Sequence, residues 1–184
     1  MKWSALLDKD WRWSARLRLG PQKSWLRSLA VIFAHSGDSW FWLGGLGLVW
    51  LLSKGAWHNR ASITVVAILL LAGGVMAVKV LVRRQRPAGE WGAIYRSIDP
   101  HSFPSGHAAR AALLAVLACG LGPAWLAPIL VVWAPLVSLA RVSMGVHYLS
   151  DILAGVVLGV GVGSLALAVQ PIIVGLLPFL FHLL

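Results

Sequence analysis

Residues 63–82 read ITVVAILLLAGGVMAVKVLV, a stretch of twenty residues in which Lys79 is the single charged side chain. About 20 predominantly apolar residues in an α-helix are enough to cross the hydrocarbon core of a bilayer. The stretch therefore predicts a transmembrane helix with Lys79 close to its end. Because an ionisable group beside the membrane interior is expensive, Lys79 also indicates a functional site.

The composition of the whole chain agrees with a membrane protein. Hydrophobic residues make up 59% and charged residues 12% of the 184 residues, whereas a soluble domain has about 25% charged residues. A domain of this size has too little interior to bury so many apolar side chains. This excludes a soluble enzyme, a disordered tail and a nucleic-acid-binding domain. We expect contacts with membrane lipids to account for part of the net charge of +10.

Other apolar segments flank the first one. Three are long enough, or nearly so, to span a bilayer: residues 107–122, 124–142 and 149–169. Two shorter segments are weaker candidates: residues 39–53 and 171–184. Glycines spaced every four residues suit close packing between helices: Gly155, Gly159 and Gly163. We expect an all-α integral membrane bundle of five to six transmembrane helices, in a single domain that covers residues 1–184.

The N-terminal region, residues 1–37, precedes the transmembrane core at residues 39–184. On a helical projection its apolar side chains fall on one side: Trp3, Leu6, Leu7, Trp11 and Leu17. Its basic side chains fall on the other: Lys2, Lys9, Arg12 and Arg16. Such a helix lies in the plane of the lipid headgroups, and a solvated tail is the alternative. Residues 25–35 predict either a second surface helix or the start of a first span.

The first of three polar clusters is residues 79–87, KVLVRRQRP. Lys79 and Arg86 are seven residues apart, so they share a face if the helix continues that far. Two cations on one face suit a bound oxyanion, with Arg as a bidentate fork and Lys as a point charge. The alternative is a basic run that only sets membrane topology.

The second cluster is residues 101–107, HSFPSGH, immediately before the span at residues 107–122. Ser105 is a candidate helix cap, and Gly106 lets an anion approach the backbone N–H groups of a helix N-terminus. His107 lies there and can exchange a proton near neutral pH. A histidine that only caps the helix or faces solvent is the alternative.

The third cluster is residues 141–151, RVSMGVHYLSD. His147 and Asp151 are four residues apart, so their side chains can meet on one helix. A carboxylate beside an imidazole fixes its tautomer and raises its basicity, as a nucleophilic histidine requires. Arg141 adds a positive charge at the end of the preceding span, and an ion pair between Asp151 and Arg141 is the structural alternative.

Helix parity brings the three clusters together. Successive spans alternate in direction, so the end of one span, the start of the next and the end of the third lie on the same membrane face. Cations, helix N-terminal amides and two histidines on one face indicate a phosphate site. The sequence has no cysteine pair, paired carboxylates or HExxH motif, and we therefore expect no metal.

With these clusters the sequence resembles the type 2 phosphatidic acid phosphatase (PAP2) family, membrane lipid phosphatases related to the vanadium haloperoxidases. The family signatures are KX6RP, PSGH and SRX5HX3D. The first two match in full at residues 79–87 and 104–107. The third matches at Arg141, His147 and Asp151, with Ala140 in place of the usual serine.

The resemblance implies a role for each residue. His147 attacks phosphorus to form a phosphohistidine, Asp151 orients His147, and His107 protonates the leaving oxygen. The implied phosphate-binding residues are Lys79, Arg86, Ser105, Gly106 and Arg141. The resemblance implies no metal and no other cofactor.

The implied substrate is a phospholipid or polyprenyl phosphate. An undecaprenyl-type diphosphate, phosphatidate and phosphatidylglycerophosphate all fit, and we favour the polyprenyl carrier because small members of the family often recycle it. One alternative is a lipid phosphotransferase with the same site. Another is a non-catalytic protein that binds or transports phospholipids. The oligomeric state stays open.

The side of the membrane depends on residues 25–35. If they do not span, 14 of the 16 Lys and Arg residues lie on the face of the site, and the positive-inside rule predicts a cytoplasmic site. If they contribute to a span, the six cations before residue 24 move to the opposite face. The resemblance favours the bacterial plasma membrane and an extracytoplasmic site.

Overall fold

The computed structural model describes residues 2–20, 24–88 and 99–181; the side chains of Lys2, Trp3, Ser4 and Ser24 are outside that description. Eight α-helices and a short 3-10 helix, Pro178–Leu180, occur in these ranges. The α-helices are α1 (Lys2–Arg16), α2 (Ser24–Ser36), α3 (Ser39–Leu52), α4 (Ala56–Val82), α5 (Gly106–Leu121), α6 (Leu126–Ser143), α7 (Leu149–Ala168) and α8 (Gln170–Leu176). The same ranges contain no β-strand, only an isolated bridge between Gln85 and His101.

Helices α3 to α7 form the membrane bundle. α4, α6 and α7 are long and apolar enough to cross a bilayer, and α3 and α5 are shorter apolar helices of 14 and 16 residues. The predicted all-α membrane bundle is therefore confirmed. α4 begins at Ala56, before the predicted residue 63, because Trp57, His58 and Arg60 continue the helix beyond the apolar segment.

α5 lies at the centre of the bundle and packs closely against α7. The glycines at positions 155, 159 and 163 of α7 face α5. A Cβ on Gly159 would come within 2.0 Å of the Ala109 carbonyl oxygen, and one on Gly155 within 2.5 Å of the Ser105 carbonyl oxygen. The glycines thus allow close backbone approach, as predicted, and they hold the first turns of α5 and α7 side by side.

The N-terminal region lies at the end of the bundle where α5 and α7 begin. α2 packs Ala30 and Ala34 against Ala140 and Met144 near the end of α6. At 13 residues α2 is about 20 Å long, which is too short to cross a hydrocarbon core of about 30 Å. α1 precedes it and contacts the start of α7, where the Ser14 hydroxyl accepts a hydrogen bond from the Leu149 N–H. α2 therefore lies at the site end of the bundle and is too short to span a bilayer alone.

The C-terminal segment does not form the sixth span that residues 171–184 predicted. α8 has seven residues and is about 10 Å long, and the described part of the segment continues as a 3-10 turn. Leu177 has non-helical backbone angles and Pro178 follows it, so the two helices do not merge. The Leu180 carbonyl is bound by Trp50 and His58 at the opposite end of the bundle. The last predicted residues, 182–184, lie outside the described ranges.

Candidate active site

The predicted site residues lie around one cavity, at the end of the bundle where α4 and α6 end and α5 and α7 begin. The cavity has a volume of about 320 Å³. Six residues from the three sequence clusters line it: Lys79, Arg86, Gly106, His107, Arg141 and His147. The helix-parity argument thus placed the three clusters on the same end of the bundle.

Lys79 and Arg86 reach this cavity without sharing a helix face. α4 ends at Val82, because Arg83 adopts the left-handed conformation with φ of 50°. Arg86 follows on a loop and turns back toward the cavity. Lys79 Nζ and Arg86 Nη2 donate to the same oxygen of Asp99, at 2.6 and 2.8 Å.

Asp99 is a site residue that the sequence analysis missed. Burial raises the pKa of its carboxyl, but the hydrogen bond from Lys79 and the charges of Lys79 and Arg86 outweigh burial and lower it. The carboxylate is therefore ionised at neutral pH and partly compensates the two cations. The one indication in the sequence was that Asp99 lies two residues before His101, at the start of the second cluster. The distribution of charges along the sequence did not indicate that Asp99 would contact Lys79.

The start of α5 presents Ser105, Gly106 and His107 to the site. Ser105 is the helix cap that was predicted, and its side chain accepts a hydrogen bond from the Ala108 N–H at 3.4 Å. The Ser105 N–H donates to the Asp151 carbonyl at 3.0 Å, which joins α5 to α7. Gly106 lines the cavity, where its missing side chain leaves the helix amides accessible.

His107 has a carboxylate partner that the sequence analysis also missed. Its Nε2 donates to Asp38 Oδ1 at 2.8 Å, and Asp38 Oδ2 lies 3.1 Å from His35 Nδ1. Burial raises the pKa of Asp38, but the hydrogen bonds from His107 and His35 outweigh burial and hold it well below its usual range. Asp38 thus carries a negative charge beside His107 and fixes its orientation.

His147 lies in the loop before α7, so it and Asp151 do not share a helix. The loop turns at Gly145, with φ of 68°, and still brings His147 Nδ1 to 3.5 Å from Asp151 Oδ2. On its other side, His147 Nε2 lies 3.2 Å from Arg86 Nη1. An arginine can only donate, so Nε2 is the unprotonated nitrogen and Nδ1 carries the proton toward Asp151.

The surroundings of His147 keep it neutral. Burial is the largest cause, and the charges of Arg141 and Arg86 add to it, so the pKa of His147 lies well below its usual value. A neutral imidazole with a lone pair on Nε2 has the protonation state of a nucleophile. Arg141 is fully buried at the end of α6 and lines the same cavity.

The sequence left an ion pair between Asp151 and Arg141 as an alternative, but the observed ionic partner of Asp151 is Arg84. The fully buried Asp151 accepts from Arg84 Nη1 at 2.7 Å and from the Tyr148 N–H at 2.8 Å. Arg84 belongs to the basic run of the first cluster, but its spacing from Lys79 gave no reason to choose it. Arg110, one turn after His107, is a buried cation that lines the cavity, and the sequence analysis missed it as well.

One wall of the cavity is apolar. It runs from Lys79 along α4 through Met76, Val75 and Leu71 to Ile68, a distance of about 16 Å along the helix. The polar end and the apolar wall together suit a ligand with an anionic head and a hydrocarbon tail. Among the described residues, no group of three or more His, Cys, Asp or Glu side chains is arranged to hold a metal ion.

Comparisons with known proteins place these features in a family. The model of the PAP2 superfamily matches residues 60–173, which include all three clusters. A decaprenylphosphoryl-5-phosphoribose phosphatase of Mycobacterium tuberculosis is 43% identical over 91 residues, 48% of this chain and 49% of the relative. The aligned part thus spans about half the length of that relative. An undecaprenyl-diphosphatase of Sulfolobus acidocaldarius is 28% identical over 150 residues, 79% of this chain and 71% of the relative.

Solved structures share the architecture. The transmembrane PAP2-type phosphatidylglycerolphosphate phosphatase of Bacillus subtilis has a TM-score of 0.73 and 25% identity, covering 92% of this chain and 88% of the other. LpxE of Aquifex aeolicus has a TM-score of 0.65 and 24% identity, covering 82% and 88%, a likeness that shows the fold alone. Since the family model covers more than half of the sequence, the chain belongs to the PAP2 superfamily.

Proposed function

We propose that this protein is a membrane phosphatase, acting as a single domain, that hydrolyses a lipid phosphate or an isoprenoid diphosphate. The observation that carries the proposal is the cavity itself. Its polar end combines two histidines with buried cations, and its apolar wall continues along α4. A phosphoryl group on a hydrocarbon tail matches both parts.

The proposed reaction begins at His147. Its Nε2 lone pair attacks phosphorus, and an N–P bond forms as the bond from phosphorus to the leaving oxygen breaks. His107 gives that oxygen a proton. Since Asp38 binds His107 Nε2, the nitrogen that exchanges this proton is Nδ1. Water, deprotonated by His107, then attacks phosphorus, releases phosphate and restores the neutral His147.

The remaining site residues stabilise charge. Lys79, Arg86 and Arg141, with Ser105 and the amide of Gly106, bind the phosphoryl oxygens on which negative charge develops. Asp151 orients His147 and stabilises the positive charge that forms on it. Side-chain cations supply the electrostatic role that a metal fills in other phosphatases, so we propose that turnover is independent of metal. Turnover that persists in excess chelator is the expected result, and a loss restored by a divalent cation would contradict it.

The proposed substrate is a polyprenyl phosphate or diphosphate. Two relatives act on such lipids, one on a decaprenylphosphoryl phosphoribose and one on undecaprenyl diphosphate. The solved structure from Bacillus subtilis is a phosphatidylglycerolphosphate phosphatase, so phosphatidylglycerophosphate and phosphatidate are the next substrates to test. Phosphate release from each lipid by purified protein would rank them.

The central experiment replaces His147. We expect His147→Ala to lower phosphate release by about 1,000-fold or more, because no other group can take the place of the nucleophile. His101→Gln is the matched control, a histidine of the second cluster with no role in the proposed reaction, and it should keep near-wild-type turnover. Turnover by folded His147→Ala at the wild-type rate would refute the proposal.

The same assay separates the two alternatives. A lipid phosphotransferase would release little phosphate until an acceptor lipid is added, and its turnover would then depend on the acceptor. A binding or transport protein would retain the lipid phosphate without cleaving it. Phosphate release without an acceptor supports hydrolysis and excludes both.

For location, we propose the bacterial plasma membrane with the site on the extracytoplasmic side, on the resemblance to bacterial members of the family. The charge count opposes this side if α2 does not span, because most cations then lie at the end of the site. A cysteine introduced near Trp91 should be labelled from outside intact cells, and Lys54→Cys at the opposite end should not. The reverse pattern would place the site in the cytoplasm.

A further inference from the structure

Arg84 is a largely buried cation that the proposed reaction does not use. Its Nη1 donates to Asp151 Oδ1 at 2.7 Å and to the Ser150 hydroxyl at 2.6 Å. Its Nη2 donates to Asp10 Oδ2 at 2.7 Å. The guanidinium also lies over the Tyr148 ring, 4.0 Å from the ring centroid. Arg84 therefore joins the carboxylate beside His147 to a carboxylate on the N-terminal helix.

Helix α1 also caps the start of α7. The first N–H groups of a helix have no partner within it. Here the Leu149 N–H donates to the Ser14 hydroxyl at 2.9 Å, and the Ser150 N–H donates to Asp10 Oδ1 at 3.1 Å. Asp10 and Ser14 are four residues apart, so one face of α1 supplies both acceptors. The negative charge of Asp10 is also favourable at a helix N-terminus.

This contact is a buried one, although α1 is a surface helix. Ser14 is only 1% exposed, whereas the apolar side chains on other faces of α1 are open: Leu6, Leu7, Trp11 and Trp13. α1 thus has an apolar surface suited to lipid and a polar face that is hydrogen-bonded to the start of α7. The polar face is not explained by membrane contact, because Asp10 and Ser14 point into the protein.

We propose that Arg84 is a positioning residue for Asp151, and that Asp10 of the interfacial helix α1 holds Arg84 in place. Asp151 is fully buried, and a buried carboxylate needs a charged partner. One of its oxygens faces His147 and the Tyr148 N–H, while Arg84 binds the other. Arg84 therefore sets the rotation of the carboxylate and, through it, the direction of His147 Nε2. The inference rests on the proposed function, in which Asp151 orients the nucleophile.

Two neighbouring pairs of like residues provide the test. Arg84→Gln and Asp10→Asn remove the charges of the bridge, and Arg83→Gln and Asp8→Asn remove charges from adjacent exposed residues. Steady-state phosphate release is measured for all four. We expect Arg84→Gln to lower kcat by about tenfold to a hundredfold, the effect of a misplaced reacting group, with KM changed by less than about twofold.

Asp10→Asn should lower kcat by about threefold to tenfold, because the amide keeps the bond to the Ser150 N–H and loses the charge that holds Arg84. Both control variants should stay within about twofold of wild type. Arg84→Lys should recover part of the kcat lost in Arg84→Gln, since the lysine ammonium can keep one of the two carboxylate contacts that the guanidinium makes. Equal kcat losses in Asp10→Asn and Asp8→Asn would overturn the role of Asp10.

A double-mutant cycle separates positioning from simple stability. If Asp10 acts through Arg84, Asp10→Asn has no further effect on kcat in the Arg84→Gln background. If Asp10 lowers kcat by the same factor in both backgrounds, the proposal is wrong. A lower Tm with unchanged kcat per folded molecule would also overturn it.

The two proposals fail in different ways. An inactive wild type, or an active His147→Ala variant, would defeat the proposed function. An active wild type, an inactive His147→Ala and bridge variants equal to their controls would defeat the inference about Arg84 and leave the function intact.

Discussion

The two ends of the bundle bury polar groups in different ways. At the end away from the site, the Leu180 carbonyl accepts from Trp50, His58 and Ser62, at 2.7 to 3.1 Å. This cluster is one carbonyl with three side-chain partners, none of which is Lys, Arg, Asp or Glu. At the site end the described cavity lining has four cations and one carboxylate.

The difference supports the proposal that a ligand binds at the site end. Polar groups that pair with each other stabilise a fold and need nothing further. Buried cations in excess of nearby anions are expensive unless an anionic ligand completes them. The cations that line the cavity are Lys79, Arg86, Arg110 and Arg141, and Asp99 is the carboxylate among the described lining residues. The cavity lining therefore has a net positive charge that a phosphoryl group can compensate.

Of the following variants, removal of a cation from the site end should have the largest effect, and removal of one from the opposite end is its control. Arg141→Gln should lower kcat/KM by about a hundredfold to a thousandfold, because Arg141 is fully buried and would face charge that develops in the transition state. Arg60→Gln is the matched control at the opposite end, where Arg60 lies 5.1 Å from the ring centroid of Trp57. It should stay near wild type. Equal losses in the two variants would show that removing a positive charge at either end, and not its place in the site, lowers activity.

The interface that connects the two ends is the next to test. Gly159→Ala should destabilise the protein by about 1–3 kcal/mol, because a Cβ there would come within 2.0 Å of a backbone oxygen of α5. Gly161→Ala is the control, since a Cβ at that position meets nothing within 4 Å. Thermal unfolding in detergent measures both. A Gly159→Ala protein as stable as Gly161→Ala would contradict the close contact between α5 and α7.

The smallest expected change in activity comes from the end away from the site. His58→Phe removes the imidazole, whose two nitrogens each lie 2.8 Å from a carbonyl oxygen, one of Trp50 and one of Leu180. We expect it to lower stability by about 1–3 kcal/mol, because the Trp50 carbonyl loses its contact with the imidazole and the Leu180 carbonyl keeps only Trp50 and Ser62. The kcat per folded molecule should not change, because His58 lies far along α4 from Lys79. A lower kcat without a lower Tm would show that the two ends are coupled.

The sequence could place the proposed site residues together at one end of the bundle because they lie next to predicted spans. Lys79, His107, Arg141, His147 and Asp151 all follow or precede an apolar segment, and the alternation of spans places them on one membrane face. Local details were less predictable. The shared helix face for Lys79 and Arg86 depended on a helix that in fact ends at Val82, and Arg86 reaches the site from a loop.

The groups that orient those residues could not be predicted. Asp38 contacts His107 across 69 residues, Arg84 contacts Asp10 across 74, and Lys79 contacts Asp99 across 20. All three carboxylates lie outside the predicted spans. There, the spacing of hydrophobic residues gives no information about which side chains will be in contact. The same reason explains α1, whose sequence predicted membrane contact but not its polar contact with α7.

The sequence alone determined the membrane bundle, the end of the bundle on which the polar clusters meet, and the family. These follow from the length of apolar segments and from motif spacing, which are local properties of the chain. The tertiary structure showed that α2 packs at the site end of the bundle, that the described residues after Gln170 form no helix long enough to span, and which carboxylates face His107, Lys79 and Arg84. Such pairings depend on the close approach of α5 and α7 and on the docking of α1, which arise only when distant segments pack together.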